Sequence, residues 1–294
     1  MAEPRAAGTI YDLGYQQYRG ARLGRVNAVR NLFTFSFRTA FGLGRGSRSK
    51  VIPIIVVSVV MMVALGMIFM ASATGRPSVI SYAAHLEFTT FFLALFASAQ
   101  APELIVTDRQ HGALSLYLSR PMSGTDYALA KWCALVAAML VITLGPQLVL
   151  FGGKVFLSAT PSAALKDEYR KLAPIFGGMF LTSCFIASIG LGIGSLASRR
   201  AYATASIIAF FLLMPAASSI IRTAATGDVK RYSILANPMM LINGFAMWLF
   251  DIEAKRRSPI GRADLPGQAY LYAILVVSAV GMAIVWLRYR KSEA

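Results

Sequence analysis

Glu103-Leu-Ile-Val-Thr-Asp108-Arg109-Gln-His111-Gly112-Ala-Leu-Ser-Leu-Tyr117-Leu-Ser-Arg120-Pro121-Met-Ser-Gly-Thr-Asp-Tyr-Ala-Leu-Ala-Lys131 is a charged, turn-rich interlude between two long apolar runs. Phe88 to Val106 overlaps its start and Trp132 to Phe151 follows it. Each run has about the 20 residues that a helix needs to cross the hydrocarbon core of a bilayer. Irregular backbone exposed to lipid would leave its N–H and C=O groups without partners, so the interlude lies in water, close against one membrane face. That reading sets the fold class as an all-α integral membrane protein.

Composition agrees with it. The chain has 294 residues, 56% of them hydrophobic and 14% charged, with a mean hydropathy of +0.59. Soluble domains carry about 45 to 50% apolar residues. The formal net charge of +16 would suit nucleic acid in a soluble protein. Here the Lys and Arg crowd at the ends of apolar runs with few aromatics among them, which fits anionic lipid headgroups. Membrane lipids are therefore expected as partners and nucleic acid is not. Cys133 and Cys184 fall in or beside apolar segments and form no CxxC site or disulfide framework.

Six apolar segments pass the length criterion: Val51 to Ala71, Phe88 to Val106, Trp132 to Phe151, Pro174 to Ala197, Tyr202 to Ile221 and Ala269 to Leu287. Basic residues favour one side. Arg5, Arg19, Arg22, Arg25, Arg30, Arg38, Arg45, Arg48, Lys50, Arg109, Arg120, Lys131, Arg199, Arg200, Arg288, Arg290 and Lys291 share a face, against Arg76, Lys154, Lys166, Arg170 and Lys171 in the short opposite connections. Positive residues stay inside, so both termini and the 107–131 loop are expected in the cytoplasm of a cell-membrane protein. About fifty mostly polar, Arg-rich residues precede the first apolar run, so no signal peptide is expected.

Residues 1–50 read as a cytosolic tail and an amphipathic helix, and 51–294 as the six-span domain. Val26, Val29, Phe33, Phe37 and Ala40 share one helical face opposite Asn27, Asn31, Thr34 and Arg38, with Phe35 spoiling the polar side. The pattern fits a helix lying in the headgroup plane and equally one packed on the protein's own surface. Between spans five and six, 222–268 forms the longest outer connection. Its apolar part, Ile234 to Phe250, is short and is broken by Asn237-Pro238 and Asn243-Gly244, which favours paired re-entrant half-helices; the alternative, to which the following Lys255, Arg256, Arg257 and Arg262 point, is two further spans, making eight. Gly145-Pro146 marks a kink in the third span, and Gly190, Gly194 and Ser198 form a small-residue stripe suited first to packing within the chain and second to a dimer contact.

Asp108-Arg109, Gly112, the apolar run Ala113 to Leu118, Arg120-Pro121 and Lys131 together resemble the cytoplasmic loop of ABC type-2 permeases, the membrane subunits of exporters whose ATPase is usually a separate chain. The resemblance implies a short coupling helix between spans two and three that sits in a groove of the ATPase. Ala113, Leu114, Leu116, Tyr117 and Leu118 would supply its apolar face, Asp108, Arg109 and Arg120 its polar ends, Gly112 a turn and Pro121 a stop. The competing reading is that Asp108 and Arg109 merely cap and solvate the end of the second span. An interfacial helix before the first span and re-entrant helices between the last two also resemble that family. It further implies two ATPase copies, a second permease, identical or not, and amphipathic, drug-like or lipid-like cargo. No cofactor is expected on this chain; ATP and Mg belong to the partner ATPase.

Catalytic constellations are not legible. His85 and His111 fall on opposite sides of the membrane, and Gly152-Gly153-Lys154 lacks the spacing of a phosphate-binding loop. Gln100 and Glu103, three apart on the second span, and Gln147 beside Pro146 are the candidates for a transport pathway. Glu103 serves equally well in a salt bridge to the basic N-terminal segment, and either glutamine could hydrogen-bond a neighbouring helix. Two rival functions stand beside the permease. A membrane enzyme acting on lipids would need groups such as His85, Glu87 and Glu103 to meet at one depth. A proton-driven transporter would need carboxylates in mid-span, where the sequence has almost none.

Overall fold

Burial divides the six long helices into two sets. The computed structural model describes residues 24–113, 117 and 122–290. In chain order the helices are α1 (Arg25–Ala40), α2 (Val51–Thr74), α3 (Tyr82–Gln110), α4 (Gly124–Phe156), α5 (Pro161–Tyr169), α6 (Leu172–Leu196), α7 (Arg200–Ala224), α8 (Gly227–Tyr232), α9 (Pro238–Leu249), α10 (Pro259–Ala263) and α11 (Gly267–Arg290). More than half of the apolar window of α3, α4 and α6 is buried, against less than a quarter for α2, α7 and α11. The inner three pack on one another, while α2 lies over α3 and α4, α7 over α3 and α6, and α11 over α4 and α6. Among the described residues there is no strand. The fold is all-α, with six helices long and apolar enough to cross a membrane.

Small residues let the inner helices approach. A Cβ on Gly190 would meet the Cβ atoms of Ala101 and Ala97 at 3.2 and 3.4 Å, so the glycine of the α6 stripe serves the contact with α3. On the opposite side of α6, Gly192 and Gly281 of α11 face each other, and a Cβ on Gly281 would lie 2.5 Å from the Ser188 carbonyl oxygen. Intrachain packing, the first of the two readings of the stripe, is what Gly190 does.

Three expectations need correction. Helices α3 and α4 extend past the apolar runs at both ends, through Gln110 and from Gly124, so residues 107–110 and 124–131 of the expected loop are helical and only 111–123 connects them. Charge ends an apolar run without ending a helix: α4 has 33 residues, about 50 Å at 1.5 Å each, and outruns a core of about 30 Å. Ser123 starts it with a capping box, accepting from the Asp126 N–H at 3.2 Å while Asp126 accepts from the Ser123 N–H at 3.0 Å.

Second, the buried face of α1 is Leu32, Ser36, Thr39 and Ala40, whereas Val26 is exposed. Ala40 of the expected face is buried and Val29 and Phe37 pack against the core, so the contact stripe keeps most of that face and widens onto Leu32, Ser36 and Thr39, where α1 docks on α4 and α3 and Arg25 clamps Asp126 with two bonds of 2.7 Å.

Third, 234–250 folds as a 3-10 turn, Ser233–Ala236, and the single helix α9. Asn237 does break the chain there, its side chain capping the N–H groups of Met239 and Met240. Asn243-Gly244 does not, because the Tyr270 ring fills the space above Gly244. The 12 residues of α9 rise about 18 Å, short of a full span.

Candidate functional site

The last two turns of α3 gather bonds from nearly every other element at that end of the bundle. Glu103 is buried; it accepts a hydrogen bond from Arg45 in the α1–α2 linker and forms an ion pair with Arg200 at the start of α7, at 2.5 Å. One turn on, Asp108 pairs with Lys131 of α4 at 2.6 Å and accepts a hydrogen bond from the Tyr127 hydroxyl at 2.9 Å. Arg109 points the other way, donating to the carbonyl oxygens of Ser195, at 3.1 Å, and Ala197, where α6 ends. Gln110 adds a 3.4 Å bond to the Ser198 carbonyl oxygen.

Lys131 is almost wholly enclosed. Its ammonium lies 5.4 Å from the ring centre of Tyr127 and 5.9 Å from that of Tyr117, so aromatic faces replace much of the water it has lost. Tyr127 in turn stacks within 5.9 Å of Tyr117 and 5.1 Å of Tyr289 near the end of α11. A buried ion pair is stable only when geometry and further polar contacts replace hydration; Asp108 and Lys131 have both.

The sequence candidates fall as follows. Asp108 and Arg109 are in the network, at the end of α3. Gly112 has a φ of 66°, the left-handed turn that glycine accommodates. Ala113 and Tyr117 are helical, and Tyr117 reaches back to the network. Leu114, Leu116, Leu118, Arg120 and Pro121 lie outside the described residues. Gln100 and Glu103 line a cavity of about 300 Å³ with Arg45, Arg48 and Arg200.

Gln147 is elsewhere. It donates to the Tyr82 carbonyl oxygen at 3.1 Å and sits 3.4 Å from His85 Nδ1, while His85 Nε2 lies 3.1 Å from the Val60 carbonyl oxygen. Since Tyr82 and Gln100 are eighteen residues apart on one helix, Gln147 is about 27 Å from Gln100 along the axis. The three pathway candidates do not meet.

Reasoning on sequence missed Tyr127, Tyr289, Ser195 and the part Arg200 plays. The Ser123-x-x-Asp126 capping signature would have placed the start of α4, and with it Tyr127 and Lys131 one turn apart on a single face.

A second polar centre sits at the opposite end of α3. Glu168 of α5 accepts from Lys154 and Lys171, both at 2.9 Å, and from the Tyr82 hydroxyl at 2.9 Å. Burial pushes its carboxyl up, but the bonds from Lys171, Lys154 and Tyr82 outweigh burial and hold it below the usual glutamate range.

Among the described residues no three His, Cys, Asp or Glu side chains are placed to hold a metal ion. His85 and Glu103 stand about 27 Å apart along α3, so the groups a lipid-modifying enzyme would need do not converge. The α3 end ties the start of the 111–123 connection to the linker before α2 and to α4, α6 and α7, with Tyr127 and Tyr289 extending the contact to α11.

Comparison of the chain with curated proteins gives no match. A family model described as ABC-2 family transporter protein matches residues 46–294, from the linker before α2 onward. With six apolar helices in the matched region and that correspondence over most of its length, the chain belongs to the ABC-2 transporter family and is a membrane permease component of an ABC transporter.

Proposed function

We propose that this chain is the membrane subunit of an ATP-driven exporter and works as the receiver of force from a separate ATPase. Two copies of that ATPase, carrying ATP and Mg, press on the 111–123 connection at the cytoplasmic face, where both termini of this chain also lie. The push enters the bundle at the end of α3. A second permease, identical or related, completes the pathway against the exposed apolar faces of the outer helices, and α9 dips into the outer leaflet. The cargo is amphipathic, of drug-like or lipid-like character.

One observation carries this reading. Over two turns, α3 binds α4 through Asp108–Lys131, α6 through Arg109, and α7 and the α1–α2 linker through Glu103. A displacement of the connection therefore shifts several helix ends together, because packed interfaces move between discrete arrangements and do not deform continuously. A solvating cap would need only Asp108 and Arg109, not the inward bonds each of them makes.

The test is co-purification followed by reconstitution. The tagged chain, isolated from membranes, is expected to bring down a nucleotide-hydrolysing subunit. Leu114→Asp or Leu118→Asp should cut that recovery about tenfold while the permease stays monodisperse. In proteoliposomes, transport should require ATP and that subunit; transport by the permease alone would sink the proposal.

A further inference from the structure

At the end of α7 remote from Glu103, four cations face one another across a pocket of about 400 Å³. It is lined by Arg222 and Thr223 of α7, Lys230 and Arg231 of α8, and Pro259, Arg262 and Ala263 of α10. Among the described residues no carboxylate lines it. Among the described residues none of the four cations forms an ion pair, although Asp228 and Asp264 are each two residues from one of them. Concentrated like charge with no internal counter-ion is unfavourable, and it lowers its energy by taking an anion.

Two of the cations are held in place. The Arg231 guanidinium donates to the carbonyl oxygens of Ala263, at 3.0 Å, and Asp264, at 2.6 Å. Asp264 has a φ of 47° and ends α10, a turn that brings both carbonyls toward Arg231. Arg222 rests on Met240 Sδ at 3.6 Å and Ser219 Oγ at 3.4 Å. Among the described residues the Lys230 and Arg262 side chains have no such bonds, which leaves their donors for a ligand.

The rim is apolar. Ile220 and Val229 are 67% and 62% exposed, and Ile221 and Tyr232 are also exposed, beside the cations in sequence on α7 and α8. Such a boundary lies where a membrane helix meets the headgroup layer, and it offers one surface for charge and another for hydrocarbon. A bare inorganic ion would use only the first.

We infer that the pocket formed by Arg222, Lys230, Arg231 and Arg262 binds a phosphate monoester or diester, supplied by the headgroup of an anionic phospholipid or by a phosphate-bearing amphiphile. Arg231 and Arg222 form the fixed floor of the site, and Lys230 and Arg262 close on the phosphate oxygens. Arginine suits this task because its planar guanidinium meets phosphate through two parallel N–H donors. The site depends on insertion in the membrane and not on the ATPase, so its failure and that of the force-receiver reading are separable.

The experiment uses the purified full-length chain in phosphatidylcholine-containing micelles. Fluorescent phosphatidylglycerol is titrated in, and glycerol phosphate is tested as a competitor. The double variant Lys230→Gln with Arg262→Gln keeps the bonds of Arg231 and should bind phosphatidylglycerol about 25-fold more weakly, at roughly fivefold per cation near the surface. The control Lys255→Gln, Arg256→Gln, Arg257→Gln removes three charges of the same connection outside the pocket and should change binding less than twofold. Competition by millimolar glycerol phosphate would assign the affinity to the phosphate itself, and absence of competition would assign it to the intact lipid. Equal binding by the parent and the double variant would overturn the inference, as would equal loss in the control or phosphatidylcholine binding as tight as phosphatidylglycerol.

Discussion

The two ends of α3 use the same chemistry in opposite ways. At the Glu103 to Gln110 end, two carboxylates, an arginine and a glutamine distribute bonds over the α1–α2 linker, α4, α6 and α7, with Tyr127 and Tyr289 extending the contact to α11. At the Tyr82 end a single carboxylate, Glu168, collects three donors and ties α3, α4 and α5 to Lys171 at the start of α6. The first arrangement spreads its bonds over several helices, and the second gathers them on one carboxylate. Under the proposed function the first would pass on a push and the second would resist it.

The strongest way to break this comparison is to remove one member of the enclosed pair. Lys131→Met leaves Asp108 without its cation next to Tyr127, and is expected to cost roughly 3 to 5 kcal/mol. The double variant Asp108→Asn with Lys131→Met should recover much of the loss, since no charge is then stranded. Thermal unfolding of the purified protein in a single detergent measures both, and additive losses would show that the two side chains do not act as a pair.

Glu168→Gln addresses the other end. It strands Lys154 and Lys171 and weakens the Tyr82 contact, for an expected cost of about 2 kcal/mol. Its pH signature is distinct. The folded carboxyl titrates below its ordinary value of 4.5, so the stabilisation is fully present above that pH and disappears as pH falls through the lower folded value. The parent protein should therefore keep its full advantage over the variant down to about pH 4.5 and lose it as the pH falls further. An advantage that persists unchanged in acid would mean that Glu168 acts by packing alone.

Within the distributed end, Glu103→Gln should cost less than either, about 1 kcal/mol, because Arg45 and Arg200 reach solvent at 36% and 58% exposure and can be rehydrated. In the reconstituted system it should nevertheless lower the transport rate severalfold while ATPase recovery is unchanged, the mark of a broken link and not of a lost partner. The smallest effect is expected at Arg25→Gln. That pair with Asp126 is 64% exposed on the arginine side, and its loss should shift stability by less than about 1 kcal/mol.

Much of the fold was legible because hydropathy and helix length are local properties. All six apolar segments became long helices, and the Asp108 to Tyr117 region was singled out by its charges and its glycine. The helix ends were not legible, since α3 and α4 continue into polar residues once the apolar run has stopped. Nor was the extent of the buried face of α1, where Leu32, Ser36 and Thr39 joined the interior and Val26 stayed out because the docking surface, and not the helix's own pattern, set its edges. Glu168 escaped notice for a similar reason, standing in a short polar connection whose neighbour Tyr82 is 86 residues away.

The chain by itself determined that it spans a membrane with six helices, and its family, because about 20 apolar residues in a row have one outcome in a bilayer and backbone hydrogen bonds close within each span. Only the tertiary structure decided which charge meets which: Arg45 with Glu103 across 58 residues, Arg109 with the Ala197 carbonyl across 88. Several cations compete for each carboxylate in the sequence. The choice among them is made by how α3, α4 and α6 pack, and by the small residues that let them approach.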